Sequence, residues 1–299
     1  MDIDLVITYV DSSDRAWMRQ HREVCEKAGR DVPASPVRYR SWNTLKYIFR
    51  GVERCMPWIR RIHLIVERES QVPKWVRRDW VNVVLHPFII PREYLPTYNS
   101  TCIEMFMYRI PGLAEHFLYA NDDMIPLNPL SPSDFFDDEG NPKLKRTDRI
   151  YTQRMGLYAH HLHNGEALVR RLLSMRPRRS GITRTGHNIA PMLVSTWAML
   201  WDKAGGDIRR SLSTFRTARN INQELAAYWH LLTDSYTAAE RTAKYMDFAD
   251  VGRVCDAITG TDAQLICIND NKCDNYKYAK RKVTEAFEKK FPDKSRYEL

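Results

Sequence analysis

The chain has 299 residues, 43% of them apolar, with eight Trp, fifteen Tyr and ten Phe. That composition excludes a disordered polymer and supplies apolar surface for one large core or two smaller ones. Its 46 Lys and Arg against 37 Asp and Glu leave a net charge of +9, which favours anionic partners: phosphorylated small molecules, nucleic acid or an anionic membrane.

In chain order, Ile3 to Val10 is a strand-like run with no basic flank and apolar leader before it, so no signal peptide is expected. Ser41 to Cys55 has helical spacing, with Leu45, Ile48, Phe49 and Val52 on one face, and Pro57 stops it. Ile62 to Val66 is a second strand, Pro73 opens a short helix through Trp75 and Val76, and Val81 to Leu85 is a third strand. Asn99 or Ser100 can cap a helix containing Ile103, Met107 and Ile110, and Phe117 to Ala120 is a fourth strand. Ser131 to Arg149 is rich in Pro, Asp, Gly and Lys and is expected to form a loop or small insertion. Helices are expected at Gly165 to Met175, Pro191 to Ala204, Asn220 to Tyr245 and Tyr278 to Lys290, with one returning strand at Gln264 to Ile268. No run of about 18 apolar residues predicts a membrane span. The six cysteines are scattered and lack paired zinc spacing, so free thiols in a reducing cytoplasm are expected.

Strands alternating with helices predict an α/β protein: a Rossmann-like, mostly parallel sheet in residues 1–130, then a largely helical half in 131–299 that completes the active site. Ligands of such sheets sit beyond the carboxyl ends of the strands. Asp11 follows the first strand and Asn121-Asp122-Asp123 the fourth, so these carboxylates are expected to meet at one sheet edge.

Four groups could carry chemistry. Asp4, Asp11 and Asp14 could bind metal, ribose or base, although a polar turn explains them as simply. Asp122 and Asp123 form a hard-oxygen pair suited to Mg²⁺ or Mn²⁺ holding a diphosphate. His187 follows an arginine-rich stretch that includes Arg170, Arg171, Arg176, Arg178, Arg179 and Arg184. Imidazole moves protons near neutral pH and guanidinium suits phosphate, while a structural histidine on a solvated basic surface is the bland alternative. Asn269-Asp270-Asn271 could complete a cation site or simply form a turn. His160, His161 and His163 match no ligand spacing and are expected on a solvated or groove-lining segment. There is no P-loop, no Gly-x-Gly-x-x-Gly after the first strand and no Gly-x-Ser-x-Gly elbow.

Together these motifs resemble the Stealth family of hexose-1-phosphate transferases. Asp4 to Asp14 looks like the first signature block. Arg38-Tyr39-Arg40, Leu45-Lys46-Tyr47, Pro57-Trp58-Ile59, Gln71 to Trp75, Leu95 to Ser100, Ile103-Glu104, Arg109 to Leu113 and Asn121-Asp122-Asp123 look like the second. His187 with Pro191 and Arg216 resembles the third, and Ile266 to Asn271 the fourth. Asn220 stands where the family carries an acid after the third-block arginine.

The resemblance implies transfer of a hexose or N-acetylhexosamine 1-phosphate from a UDP-sugar to a hydroxyl of a growing polysaccharide or oligosaccharide, with UMP released. It implies Asp122, Asp123 and Asp270 on a divalent cation, and Arg216, with Arg38 and Arg40, offsetting phosphorus charge. It further implies His187 as general base, and Asp4, Asp11, Asp14, Asn99, Glu104 and Asn269 around the substrates. The expected location is cytoplasmic, with peripheral association at the inner face of a membrane compatible with the chain. A metal-dependent glycosyltransferase releasing UDP is the closest rival. A nucleic-acid module rests only on the charge, and a pure carbohydrate-binding protein leaves the acids without a purpose.

Overall fold

A computed structural model describes residues 1–31, 39–178, 180–270 and 273–299. The elements are β1 (Ile3–Thr8), α1 (Arg15–Lys27), α2 (Leu45–Cys55), β2 (Ile62–Val66), β3 (Val81–Leu85), α3 (His86–Ile89), α4 (Ser100–Glu104), β4 (His116–Asn121), β5 (Met124–Pro126), β6 (Lys143–Leu144), α5 (Leu157–Leu172), β7 (Ala190–Leu193), α6 (Val194–Ser211), α7 (Glu224–Thr233), β8 (Thr237–Ala238), β9 (Ala243–Asp247), α8 (Val251–Gly260), β10 (Leu265–Asn269) and α9 (Tyr276–Lys290).

The fold is mixed α/β, as the sequence implies. The main sheet has the order β3-β2-β1-β4-β7. Strand β2 pairs in parallel with β3, Ile62 opposite Val81 through Val66 opposite Leu85. The runs Ile3–Ile7 and Ile62–Val66 are buried along their whole length, as strands covered on both faces require. Strand β7 is the antiparallel edge, with Pro191 opposite Leu118. A second sheet, β5-β10-β9, sets β10 antiparallel to β5 and parallel to β9. No helix among the described residues is long and apolar enough to cross a membrane.

The chain forms two compact units. The first comprises Met1–Val6, His86–Tyr119 and Ser131–Arg241; the second comprises Ile7–Leu85, Ala120–Leu130 and Thr242–Leu299. In the second unit, α2 is bound to the chain terminus through buried Arg50. Its Nε and Nη2 donate to Glu298 at 2.9 and 3.0 Å, and its Nη1 donates to Glu288 and to the Phe291 carbonyl.

Several elements depart from the sequence expectation for visible reasons. No helix forms at Pro73, because the C-terminal chain claims that backbone: Arg77 N donates to Tyr297 O and Leu299 N to Trp75 O, both at 2.8 Å. Ala190–Leu193 is a strand rather than a helix start, and Pro191 is tolerated there because β7 is an edge. The helix expected over Asn220 to Tyr245 stops at Thr233, where Asp234 adopts the left-handed conformation (φ 56°). Tyr245 lies instead in β9, opposite Cys267. The helix expected to start at Gly165 starts at Leu157. His161 is not solvated: it is buried on α5 with Nε2 2.8 Å from Thr217 O, so that nitrogen carries the proton. None of the cysteines forms a disulfide among the described residues.

Candidate active site

The second unit holds an acidic cluster. Strand β4 delivers Asp122 and Asp123, and the chain turns at once into β5. Thr44 Oγ1 donates to the Asp122 carbonyl at 2.7 Å, and Ile268 N donates to the Asp123 carbonyl at 3.0 Å, which fixes the turn. Cys267 Sγ reaches Asp123 Oδ2 at 3.5 Å, while Asp123 Oδ1 is buried without a hydrogen-bond partner. Burial pushes the Asp122 carboxyl up to about 7, with the neighbouring Asp123 and Asp11 charges adding to it. Burial pushes Asp123 up to about 6. Crowded, desolvated carboxylates with a bare buried oxygen are a donor set that suits a hard divalent cation.

The Asp11 charge reaches Asp122 and adds to its raised pKa, so carboxylates following β1 and β4 influence one another. The Asp11 loop is held by Gln71, a buried amide that accepts from Asp11 N at 2.6 Å and donates to Asp11 O at 3.1 Å. Asp14 is the N-cap of α1, accepting from Ala16 N and Trp17 N, and its other oxygen accepts from Ser70 and Gln71. Burial raises its pKa, but these hydrogen bonds outweigh that and lower it. Asp270 differs from Asp123, because both its oxygens are occupied. Arg40 Nε and Nη2 donate to it at 2.5 and 2.6 Å, and Trp42 Nε1 donates at 2.8 Å. The Arg40 guanidinium also lies 4.6 Å over the Tyr276 ring. Asn269 donates to the Tyr245 hydroxyl. Arg38 and Asn271 lie outside the described residues.

The first unit holds a basic cluster. Arg216 Nη2 donates to Ser100 Oγ at 2.7 Å. Glu104, buried on α4, accepts from Gln223 N at 2.9 Å; burial raises its pKa and the Arg216 charge opposes that rise. Asn99 caps α4 and donates to Ser213 O and to Asn220 Oδ1. Asn220 in turn accepts from Thr217 N at 2.6 Å and donates to Ser211 O and Ser213 Oγ. The loop bearing Arg216 is therefore clamped by buried amides on both sides of the arginine. Glu104 and Asn99, expected around the substrates, make these internal bonds. Asp4 is fully buried and accepts from Ala114 N at 2.9 Å, which places it in the interior rather than on a ligand-accessible surface.

His187 meets Tyr158 edge-on, ring centroids 6.4 Å apart. The Tyr158 hydroxyl accepts from Arg184, whose guanidinium lies 4.9 Å over the same ring and 5.5 Å over Tyr151. Glu224, fully enclosed, accepts from Thr185 N and Oγ1. Burial pushes His187 down to about 3, assisted by the Arg184 and Arg216 charges, so its imidazole is neutral at physiological pH. Sequence reasoning noted Arg184 only as part of a basic stretch and passed over Gln71 as a motif letter. Neither has a spacing that announces its contact, because Tyr158 and Asp11 are far from them along the chain.

Compared with known proteins, residues 38–144 match the model of Stealth protein CR2, conserved region 2. The chain is 29% identical to the capsular polysaccharide phosphotransferase WcwK of Streptococcus pneumoniae, and 29% identical to the receptor polysaccharide phosphotransferase WefC of Streptococcus gordonii. In both cases 99% of each chain is covered. It is 27% identical to the exopolysaccharide phosphotransferase cps2G of Lactiplantibacillus plantarum, over 99% of this chain and 96% of that one.

Proposed function

We propose, for what is by these similarities a Stealth-family phosphotransferase of polysaccharide biosynthesis, that it moves a sugar 1-phosphate from a UDP-sugar to a sugar hydroxyl. The observation that carries the reading is the adjacent Asp122–Asp123 pair, in which burial and the neighbouring carboxylate charges push the Asp122 carboxyl up to about 7 and Asp123 Oδ1 has no hydrogen-bond partner. Asp122 and Asp123 would hold Mg²⁺ or Mn²⁺, which when bound neutralises diphosphate oxygens. Asp270 is expected to join them only after releasing Arg40.

In the reaction the acceptor oxygen forms a bond to the donor phosphorus bearing the sugar. The bond from that phosphorus to the bridging oxygen breaks, and UMP leaves with the electron pair. His187, neutral because its folded pKa is depressed, takes the hydroxyl proton at the imidazole nitrogen. Arg216, held by Ser100, offsets charge on the phosphoryl oxygens. Asp11, fixed by Gln71, orients the nucleotide-sugar. A cytoplasmic enzyme acting at the inner face of a membrane fits this donor chemistry.

Incubation with a panel of UDP-sugars, Mg²⁺ and an oligosaccharide acceptor, with UMP and UDP resolved by chromatography, tests the reading. UMP with a phosphodiester-linked product is expected. UDP in its place assigns the protein to glycosyl transfer.

A further inference from the structure

The first unit carries a surface that the chemistry above does not use. From Lys145 to Leu157 every residue except Thr147 and Tyr151 is exposed. Three of them are large aliphatic side chains, Ile150 at 60%, Met155 at 42% and Leu157 at 44% exposure. Lys145, Arg146, Arg149 and Arg154 are interspersed, against the single acid Asp148. None of the four cations makes an ion pair among the described residues.

The segment is rigidly presented rather than left loose. Tyr151 and Ile182 exchange both backbone hydrogen bonds, at 2.7 and 2.9 Å. Thr147 N donates to Arg184 O at 2.9 Å, and Gly186 N to Lys145 O at 3.2 Å. Tyr151 is the inward anchor, its ring packed against Tyr158 and beneath the guanidiniums of Arg149 and Arg184. Alternation around that anchor turns Ile150 outward while Tyr151 points in.

We propose that residues 145–157 dock the protein on an anionic lipid surface. Cations are drawn to the negative headgroup layer, and exposed aliphatic side chains enter the boundary between headgroup and acyl chain, so a surface carrying both gains from both. A soluble polyanion, such as a phosphodiester polysaccharide or a nucleic acid, would use the cations. It has no use for three exposed aliphatic residues, and the segment's one aromatic ring, the stacking surface a sugar or base prefers, is buried. The inference deepens the phosphotransfer reading by assigning that enzyme a docking face. Lipid binding is measured without turnover, so either idea can fail while the other stands.

The test is co-sedimentation of the full chain with phosphatidylcholine vesicles, with and without phosphatidylglycerol, at low and high salt. Binding is expected only to the anionic vesicles and is expected to weaken with salt. The triple variant Ile150→Ser, Met155→Ser, Leu157→Ser and the triple variant Arg146→Glu, Arg149→Glu, Arg154→Glu should each bind at least about tenfold more weakly. Their circular dichroism should be unchanged, since all six side chains are exposed. Absence of anionic-vesicle binding, or wild-type binding by both variants, overturns the proposal. Loss in the charge variant alone also overturns it, and reassigns the segment to a polyanionic chain.

Discussion

The acidic cluster of the second unit and the basic cluster of the first are built on opposite electrostatic plans. Around Asp122 burial is reinforced by the Asp123 and Asp11 charges, and together they push its carboxyl up to about 7. In the first unit acid and base alternate: Glu104 has Arg216, Glu224 has Arg184, and His187 lies under the influence of both arginines. Buried charge is normally paired. Among the described residues no positive side chain is among the influences on the Asp122 carboxyl, whereas the basic cluster sets each buried acid against an arginine and burial keeps its imidazole neutral. Even within the second unit the contrast holds, because Asp270 has Arg40 and Trp42.

Substitutions can break this contrast. The largest effect is expected from Asp122→Asn, which removes one of the two adjacent carboxylates proposed to hold the cation. UMP release should fall by on the order of 10³ or more, and added cation should no longer stabilise the protein in a thermal melt. Retained turnover would remove the pair from the chemistry. His187→Ala and Arg216→Ala should each cost on the order of 10²–10³ in rate. The fold should survive, and cation-induced stabilisation should remain, which separates their role from that of Asp122. Near-normal UMP release in either variant excludes that side chain. Asn220→Ala should act more weakly, through Arg216. It abandons the Thr217 amide and the Ser211 carbonyl in a buried loop, a loss of about 1–3 kcal/mol for each unsatisfied group, and turnover should drop roughly tenfold. An unchanged rate with a lowered melting temperature would make the amide clamp purely structural.

How much of this was legible beforehand depended on the distance over which each feature is determined. Strands β1 to β4 were readable because short β-branched runs between helical signals declare themselves locally. The Asp122–Asp123 pair was readable because strand-end position follows from the fold class. The internal hydrogen bonds of Asp14, Asn99 and Glu104 were not. A cap, an amide clamp and a buried acid use the same residue types as a substrate contact, and only the partner tells them apart. Asn220, read as a departure from an expected acid, proves to be a buried hub with both donor and acceptor engaged, a duty that a carboxylate could fulfil only in part. Tyr245 and Pro191 were assigned to helices because pairing with β10 and β4 overrides local preference.

The smallest expected effect is also the one that reads both clusters at once. Asp122 and Asp123 have folded pKa values of about 7 and about 6 against 3.8 unperturbed. The folded state therefore binds protons more tightly there, and the metal-free protein should lose stability as pH rises from about 4 through about 7. His187 has a folded value of about 3 against 6.5. The unfolded state binds its proton first, so this group should withdraw stability as pH falls from about 6.5 toward 3. The two clusters pull the melting temperature down from opposite sides. Asp122→Asn should flatten the neutral side alone and His187→Ala the acid side alone. A divalent cation displaces protons from the carboxylates, so Mg²⁺ or Mn²⁺ should raise the melting temperature more at about pH 8 than at about pH 5. Equal cation effects at both pH values would place the ion away from this pair, because only groups that titrate in that window can give its binding a pH dependence there.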